Sequence, residues 1–338
     1  MNKKYWLMAV SALLALSLSA CTKNDDTASS GDTEKTNAAE VKTEAKDTEK
    51  EDTTDENATE QTITYLGEDY VLPAKVDNIV AASLESMEDA AILGVKPVGV
   101  LAVGDAIPEY LASDLEGASL VGDKFAPNNE AILALDPDVI LGSSKHSEDV
   151  VAAMNKIQTM IPYSHLSENW EENLELLGKL TGKESKADEI IADYNAKAAE
   201  AKEKIGDSMK DKTVLVLRIR QGSVAVYSDE TYLNSVLYTD LGLPVPEIVS
   251  STDGQGELSL EALADINPDY IFLQFEDSEN AENLTAKDDL LANPIFKSIT
   301  AAKENHVFVN TIAPLAQGGT AWSKVRFLDA AIENLVSE

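Results

Sequence analysis

The 338-residue chain carries 60 acidic against 27 basic side chains, for a net charge of −33 at neutral pH. That excess repels nucleic-acid phosphates and anionic lipid headgroups alike, so neither is expected to bind it directly. The length allows two lobes of ordinary domain size, and a single cysteine, Cys21, leaves no internal disulfide to form.

At the N-terminus, Lys3 and Lys4 precede an uncharged apolar run from Tyr5 to Ala20. The run is shorter than the roughly 20 residues a spanning helix needs. A basic start, an apolar stretch and small residues before a cut match an export signal over residues 1–20. Leu18-Ser19-Ala20-Cys21 resembles the bacterial lipobox, which implies that Cys21 is acylated and becomes the new N-terminus. The alternative is an ordinary secretory cut beside an incidental cysteine. Residues 22–62 hold 13 acids and 5 lysines with Ala as nearly the sole apolar type. Such a stretch cannot offset its ordering entropy, and a lipidated, disordered acidic tether is expected over 21–61.

From residue 62 the pattern is α/β. Residues 62–71 alternate around Leu66-Gly67-Glu68-Asp69 and read as a hairpin. Short apolar runs at 78–82, 98–100, 119–121 and 139–141 are separated by helical stretches, and the alternation returns at 213–219, 247–249, 270–273 and 307–309. Strands alternating with helices predict two Rossmann-like lobes with mainly parallel sheets, one over 62–184 and one over 210–338. Between them, residues 185–209 place Ile190, Ile191, Tyr194, Ala198, Ala201 and Ile205 at three- and four-residue spacing, which predicts one rigid linking helix.

An internal repeat supports two lobes. Glu130-Ala131-Ile132-Leu133 leads to Pro137-Asp138-Val139-Ile140, and Glu261-Ala262-Leu263-Ala264 leads to Pro268-Asp269-Tyr270-Ile271. In each copy a Glu opens a short helix, Pro-Asp ends it and a buried strand follows. Either glutamate could serve simply as a favourable first-turn residue. Their matched positions would also suit docking onto a two-fold partner.

Taken in order, several segments carry a family resemblance: Leu93-Gly94-Val95-Lys96-Pro97-Val98-Gly99, Asn129-Glu130 with Pro137-Asp138, Leu217-Arg218-Ile219-Arg220, Leu241-Gly242-Leu243-Pro244, and Ala313 through Trp322. Over residues 62–338 the chain resembles the iron–siderophore substrate-binding lipoproteins of Gram-positive ABC importers, two-lobed proteins joined by a rigid helix. The resemblance implies a monomeric, non-enzymatic binding protein, lipid-anchored on the extracellular face. Its ligand would be a ferric siderophore and its partner an ABC permease dimer with its ATPase. It also implies that Glu130 and Glu261 meet arginines of the permease.

Ligands of open α/β sheets lie beyond the carboxyl ends of strands. Arg218 and Arg220 end the 213–219 run on one face, and Lys124 and Lys145 follow the 119–121 and 139–141 runs. The plain alternative pairs each cation with a local carboxylate. The resemblance carries binding roles onto Lys124, Lys145, Arg220 and Arg218. Arginine forks and lysine point charges suit the oxygens of a chelate that already encloses its Fe(III), so no protein metal site or cofactor is expected. Catecholate-binding relatives have a further cation before the second repeat glutamate, where this chain reads Ser250 through Gly256 with none. A hydroxamate or citrate-hydroxamate ligand is therefore favoured, with a catecholate siderophore or haem as alternatives.

Trp322, after Gly318-Gly319-Thr320, could stack on the ligand or belong to the core, and Tyr227 and Tyr232 could reach the cleft or pack. His146, beside Lys145, is a candidate hydrogen-bond donor. The three histidines, His146, His165 and His306, show no ligand spacing, which disfavours bare zinc or manganese. A secreted α/β enzyme is the distant alternative. No nucleophile elbow, P-loop or dinucleotide fingerprint is present.

Overall fold

The computed structural model describes residues 59–335. The export signal, Cys21 and almost all of the expected tether lie outside the described residues. None of the described helices is long and apolar enough to cross a membrane.

The opening hairpin pairs β1 (Glu60–Tyr65) with β2 (Glu68–Pro73), antiparallel, through a two-residue turn. Leu66 and Gly67 both adopt positive φ there, the conformation such tight hairpins require. A six-stranded sheet follows, built from β3 (Ile79–Ala82), β4 (Gly99–Ala102), β5 (Ser119–Asp123), β6 (Ala126–Pro127), β7 (Val139–Ser143) and β8 (Met160–Tyr163). Its order is β6-β5-β4-β3-β7-β8, and every pairing is parallel except β5 with β6. β8 carries Pro162 in its interior and lies at the edge, where a sheet tolerates proline. That proline hides the strand from a search for apolar runs.

The second sheet is mixed. It contains β9 (Val214–Arg220), β10 (Ser223–Tyr227), β11 (Gln255–Glu257), β12 (Tyr270–Phe275) and β13 (Val307–Val309), in the order β11-β10-β9-β12-β13. β9, β12 and β13 are parallel, whereas β10 folds back on β9 and pairs with β11, both antiparallel. The strand expected at 247–249 is instead a helical turn, Glu247–Ser250. Pro246 starts that turn, and its carbonyl accepts from the Val249 and Ser250 amides. β10 and β11 occupy the sheet edge in its place.

The helix Glu184–Met209 runs between the two sheet-bearing halves and is about 39 Å long at 1.5 Å per residue. Ala187, Tyr194, Ala198, Ala201 and Ile205 are buried along one face, while Ile190 and Ile191 pack at its margin. Lys324 of the last helix, Ala321–Leu335, is itself buried and pairs with Asp240 at 2.7 Å. Asp240 also accepts from the Tyr194 hydroxyl, so one carboxylate ties the long helix to the last one.

The structure explains the repeat. Asp136 and Asn267 hold the same place in the two copies and both turn left-handed to end their helices, with φ of 46° and 48°. Asp138 then accepts from the Asp77 and Asn78 amides at 2.8 and 2.7 Å, just ahead of β3. Asp269 accepts from the Thr213 amide at 2.9 Å, just ahead of β9. Each Pro-Asp thus anchors the start of the neighbouring parallel strand. Burial pushes the Asp269 carboxyl up, but the Thr213 amide and Lys212 outweigh it and hold it below the usual range.

Candidate functional site

The carboxyl ends of β3, β5 and β7 in one sheet, and of β9 and the β12 segment in the other, line a cleft of about 620 Å³. Each sheet delivers its side chains to this cleft by the simplest means, the turn that leaves a strand. From β5, Gly122 takes φ +109°, and a Cβ there would sit 2.6 Å from the Ala126 carbonyl. Only glycine fits a backbone so close, and that tight turn presents Lys124 and Phe125. From β7 come Ser143, Lys145 and His146, and from β9 come Arg218 and Arg220.

The four cations predicted at strand ends do meet in one cleft, and each finds a carboxylate there. Lys145 Nζ lies 2.8 Å from Glu85, itself buried on the helix Leu84–Leu93. Glu279 takes the other three. Its Oε1 is 3.5 Å from Lys124 Nζ, and its Oε2 is 2.8 Å from Arg218 Nη2 and 3.6 Å from Arg220 Nε. Arg218 is buried, and although burial opposes its charge, the Glu279 carboxylate at 2.8 Å keeps it protonated. Arg220 also donates to Gln255 Oε1 at 2.9 Å. Gln255 lies in the 250–256 stretch where the sequence shows no cation, so that stretch joins the site through an amide.

Several polar atoms facing this cleft have no protein hydrogen-bond partner among the described residues. They are Arg218 Nε, His146 Nε2, the hydroxyls of Tyr227 and Tyr232, and the acceptor Glu279 Oε2. Burial raises the Tyr232 hydroxyl well above its ordinary range, so it remains a donor. The Tyr227 and Tyr232 rings lie 4.9 Å apart, and the Arg218 guanidinium sits 5.1 Å over Tyr232. His165 also lines the cleft, with Nδ1 2.8 Å from Ser144 Oγ. Burial and the nearby Lys145 charge hold it below the usual histidine value, hence neutral at physiological pH. Buried donors without partners, set among cations, suit a ligand rich in anionic oxygen.

Trp322 is a correction. It does not face the cleft but sits buried in the first turn of the last helix, its ring 4.9 Å from Tyr110 and 3.8 Å from the Arg326 guanidinium. The exposed aromatic is Phe125, 79% accessible at the cleft mouth and 5.0 Å from Lys124 Nζ. Its signal was present in the sequence, because it directly follows a cation past a strand end. Sequence reading also missed Glu85, Glu279, Gln255 and His165. Acids are so common in this chain that nothing marked two of them. His306 lies elsewhere, stacked on Tyr270 at 4.4 Å. Among the described residues no cluster of His, Cys, Asp and Glu could hold a metal ion.

Glu130 and Glu261 are exposed in the first turns of the helices Asn129–Ala134 and Leu260–Ile266. Capping falls to their neighbours instead. Asn128 accepts from the Glu130 and Ala131 amides, and Ser259 accepts from Ala262. Neither glutamate carboxylate has a hydrogen-bond or ion-pair partner among the described residues, so the cap does not require their charge.

Residues 79–311 match the family described as periplasmic binding protein. The chain is 45% identical to the iron-uptake system-binding protein of Bacillus subtilis, over 98% of this chain and 99% of that one. It is 30% identical to the probable siderophore-binding lipoprotein YfiY of the same organism, over 71% and 77%. Among solved structures, the B. subtilis triscatecholate siderophore binding protein FeuA complexed with ferri-bacillibactin aligns with a TM-score of 0.78 at 48% identity. That alignment covers 81% of this chain and 98% of that one.

Proposed function

The chain belongs to the periplasmic binding protein family, as an iron–siderophore substrate-binding protein and not an enzyme, and from that premise we propose that it captures a ferric tris-catecholate for an ABC importer. One observation carries the ligand class: Lys124, Lys145, Arg218 and Arg220 converge from two sheets on a single cleft. A ferric tris-catecholate is a trianion with aromatic rings. The cations, the unpartnered tyrosine hydroxyls and the exposed Phe125 ring answer both features. The solved relative bound to ferri-bacillibactin supports the same reading. This reverses the hydroxamate preference, which rested on the cation missing from residues 250–256. That inference weighed one absent charge and left out the aromatic face of the cleft.

Ligand oxygens would take Arg218, Arg220, Lys124 and Lys145, with His146 and Tyr227 donating alongside. Residues 62–184 and 210–338 would act as lobes about the helix 185–209. Acylation at Cys21 would hold the protein at the outer face of the membrane, and the free carboxylates of Glu130 and Glu261 would dock on the permease dimer. Tryptophan fluorescence titration tests the ligand class. A ferric tris-catecholate should quench at sub-micromolar concentration and a neutral ferric trihydroxamate only at higher concentration; the reverse order would overturn the catecholate assignment. Reversing the charge of both Glu130 and Glu261 should abolish uptake with affinity intact, and lost affinity would refute the docking role.

A further inference from the structure

Glu279 occupies the place where an anionic chelate oxygen belongs. Its side chain is 9% exposed and touches three of the four cleft cations, including Lys124 from the opposite sheet. No other carboxylate among the described residues reaches more than one of them. The short turn that carries it, Asp277–Glu279, has a firmly held backbone. Asn280 donates to the Ile219 and Glu276 carbonyls and accepts from the Gly222 amide, and the Glu279 carbonyl accepts from the Gln221 amide. The side chain is held more loosely. Oε2 lies 2.8 Å from Arg218 Nη2 yet makes no directed hydrogen bond, so the contact is ionic and tolerates exchange.

Charge balance gives this geometry a consequence. Among the residues lining the cleft, Lys124, Lys145, Arg218 and Arg220 face Glu85 and Glu279, which leaves two positive charges in excess. Three dianionic catecholates around Fe(III) make a trianion. With Glu279 turned out of the cluster the excess becomes three, equal and opposite to such a ligand. A neutral trihydroxamate gains nothing from that exchange.

We propose that Glu279 is a specificity-determining residue that competes with the ligand. It keeps Lys124, Arg218 and Arg220 in place across the ligand-free cleft and must leave them when a highly charged chelate enters. Its carboxylate thereby limits how strongly the cleft prefers trianionic to neutral chelates. The inference rests on the siderophore reading above and adds a residue that regulates the same site.

The test compares purified wild-type protein with Glu279→Gln and Glu279→Asp. Fluorescence titrations use two probes, Fe(III) in a tripodal 2,3-dihydroxybenzoyl ligand and a neutral ferric trihydroxamate. Glu279→Gln should bind the trianion about tenfold more tightly or better, because a juxtaposed like charge is removed, and should change the neutral chelate by about twofold at most. Glu279→Asp keeps the charge but withdraws it by one methylene. It should shift the trianion in the same direction by less, and it serves as the test should the glutamine variant fail to fold. A trianion affinity that is unchanged or weaker in the variants would overturn the inference and make Glu279 an organiser of the cations. Equal gains for both chelates would overturn it too, because charge would not be the cause. Binding of neither probe by the wild type would overturn the siderophore reading and this inference with it, which separates the two failures.

Discussion

Two carboxylate-centred junctions join the halves of this molecule, and they are built in opposite ways. At the first, Glu88 and Asp89 of the helix Leu84–Leu93 are fully buried against the start of the last helix. Glu88 accepts from the Tyr110 hydroxyl, the Gln317 amide and the Thr320 and Ser323 hydroxyls, at 2.5 to 2.9 Å. Asp89 accepts from the Tyr163 hydroxyl and the Ala321 amide, both at 2.9 Å. Nearby, Gly318 turns at φ +82° because the Tyr232 backbone leaves no room for a Cβ. At the second junction, Glu279 meets three cations through long or undirected contacts. A buried carboxylate with directed donors on every side costs several kcal/mol to disturb. Glu279 has one long hydrogen bond, from Lys124, and undirected contacts to two arginines, the looser footing that the proposed exchange with a ligand requires. The first junction holds the halves in place, and the second lines the cleft proposed to take the ligand.

Mutations should separate the two. The largest effect is expected from Glu88→Ala, which strands four donors, the Thr320 and Ser323 hydroxyls fully buried among them, and should cost about 3–5 kcal/mol in urea unfolding. Arg218→Ala leaves Glu279 without its nearest partner and removes a ligand donor. It should weaken tris-catecholate binding by about 100-fold in fluorescence titration, close to the loss for truncating a buried charge pair.

A smaller effect is expected from pH. Burial, together with the adjacent Glu88 charge, lifts the Asp89 carboxyl well above its ordinary value, although the Tyr163 hydroxyl opposes this. The native state therefore holds this proton above the unfolded value near 3.9. Its contribution is whole below that value and is lost as pH rises through the native one. Wild type should begin to lose stability relative to Asp89→Asn as pH rises above about 4, with a slope of at most about 1.4 kcal/mol per unit for one proton. A difference that grows with pH in favour of the wild type would contradict this. The smallest stability effect belongs to Phe125→Ala, within about 0.5 kcal/mol because the ring is exposed. The same change should weaken an aromatic chelate several-fold, about 1 kcal/mol, and leave an aliphatic hydroxamate unaffected.

Much of this architecture was legible in the sequence, for identifiable reasons. Parallel strands buried on both faces read as apolar runs, so β3, β7, β9 and β12 stood out. The long helix showed its face through Tyr194, Ala198, Ala201 and Ile205. Local signals failed where pairing decides: β8 is broken by Pro162, β11 is a short edge strand, β10 pairs antiparallel with it, and residues 247–249 look extended but coil after Pro246. Strand ends placed Lys124, Lys145, Arg218 and Arg220 at the edges that line one cleft, because a residue just past a strand falls at the same edge of the sheet whatever its neighbours. Trp322 misled because glycines before an aromatic suit a binding loop and a tight helix entry equally.

The sequence by itself determined the alternation of strands and helices, the two matched halves and the strand ends that carry the cations, since each is a periodic or local property of the chain. Only the tertiary structure decided which acids answer them. Glu85 and Glu279 lie 60 and 155 residues from Lys145 and Lys124. No local pattern records a charge balance between two sheets that meet only when the chain has folded.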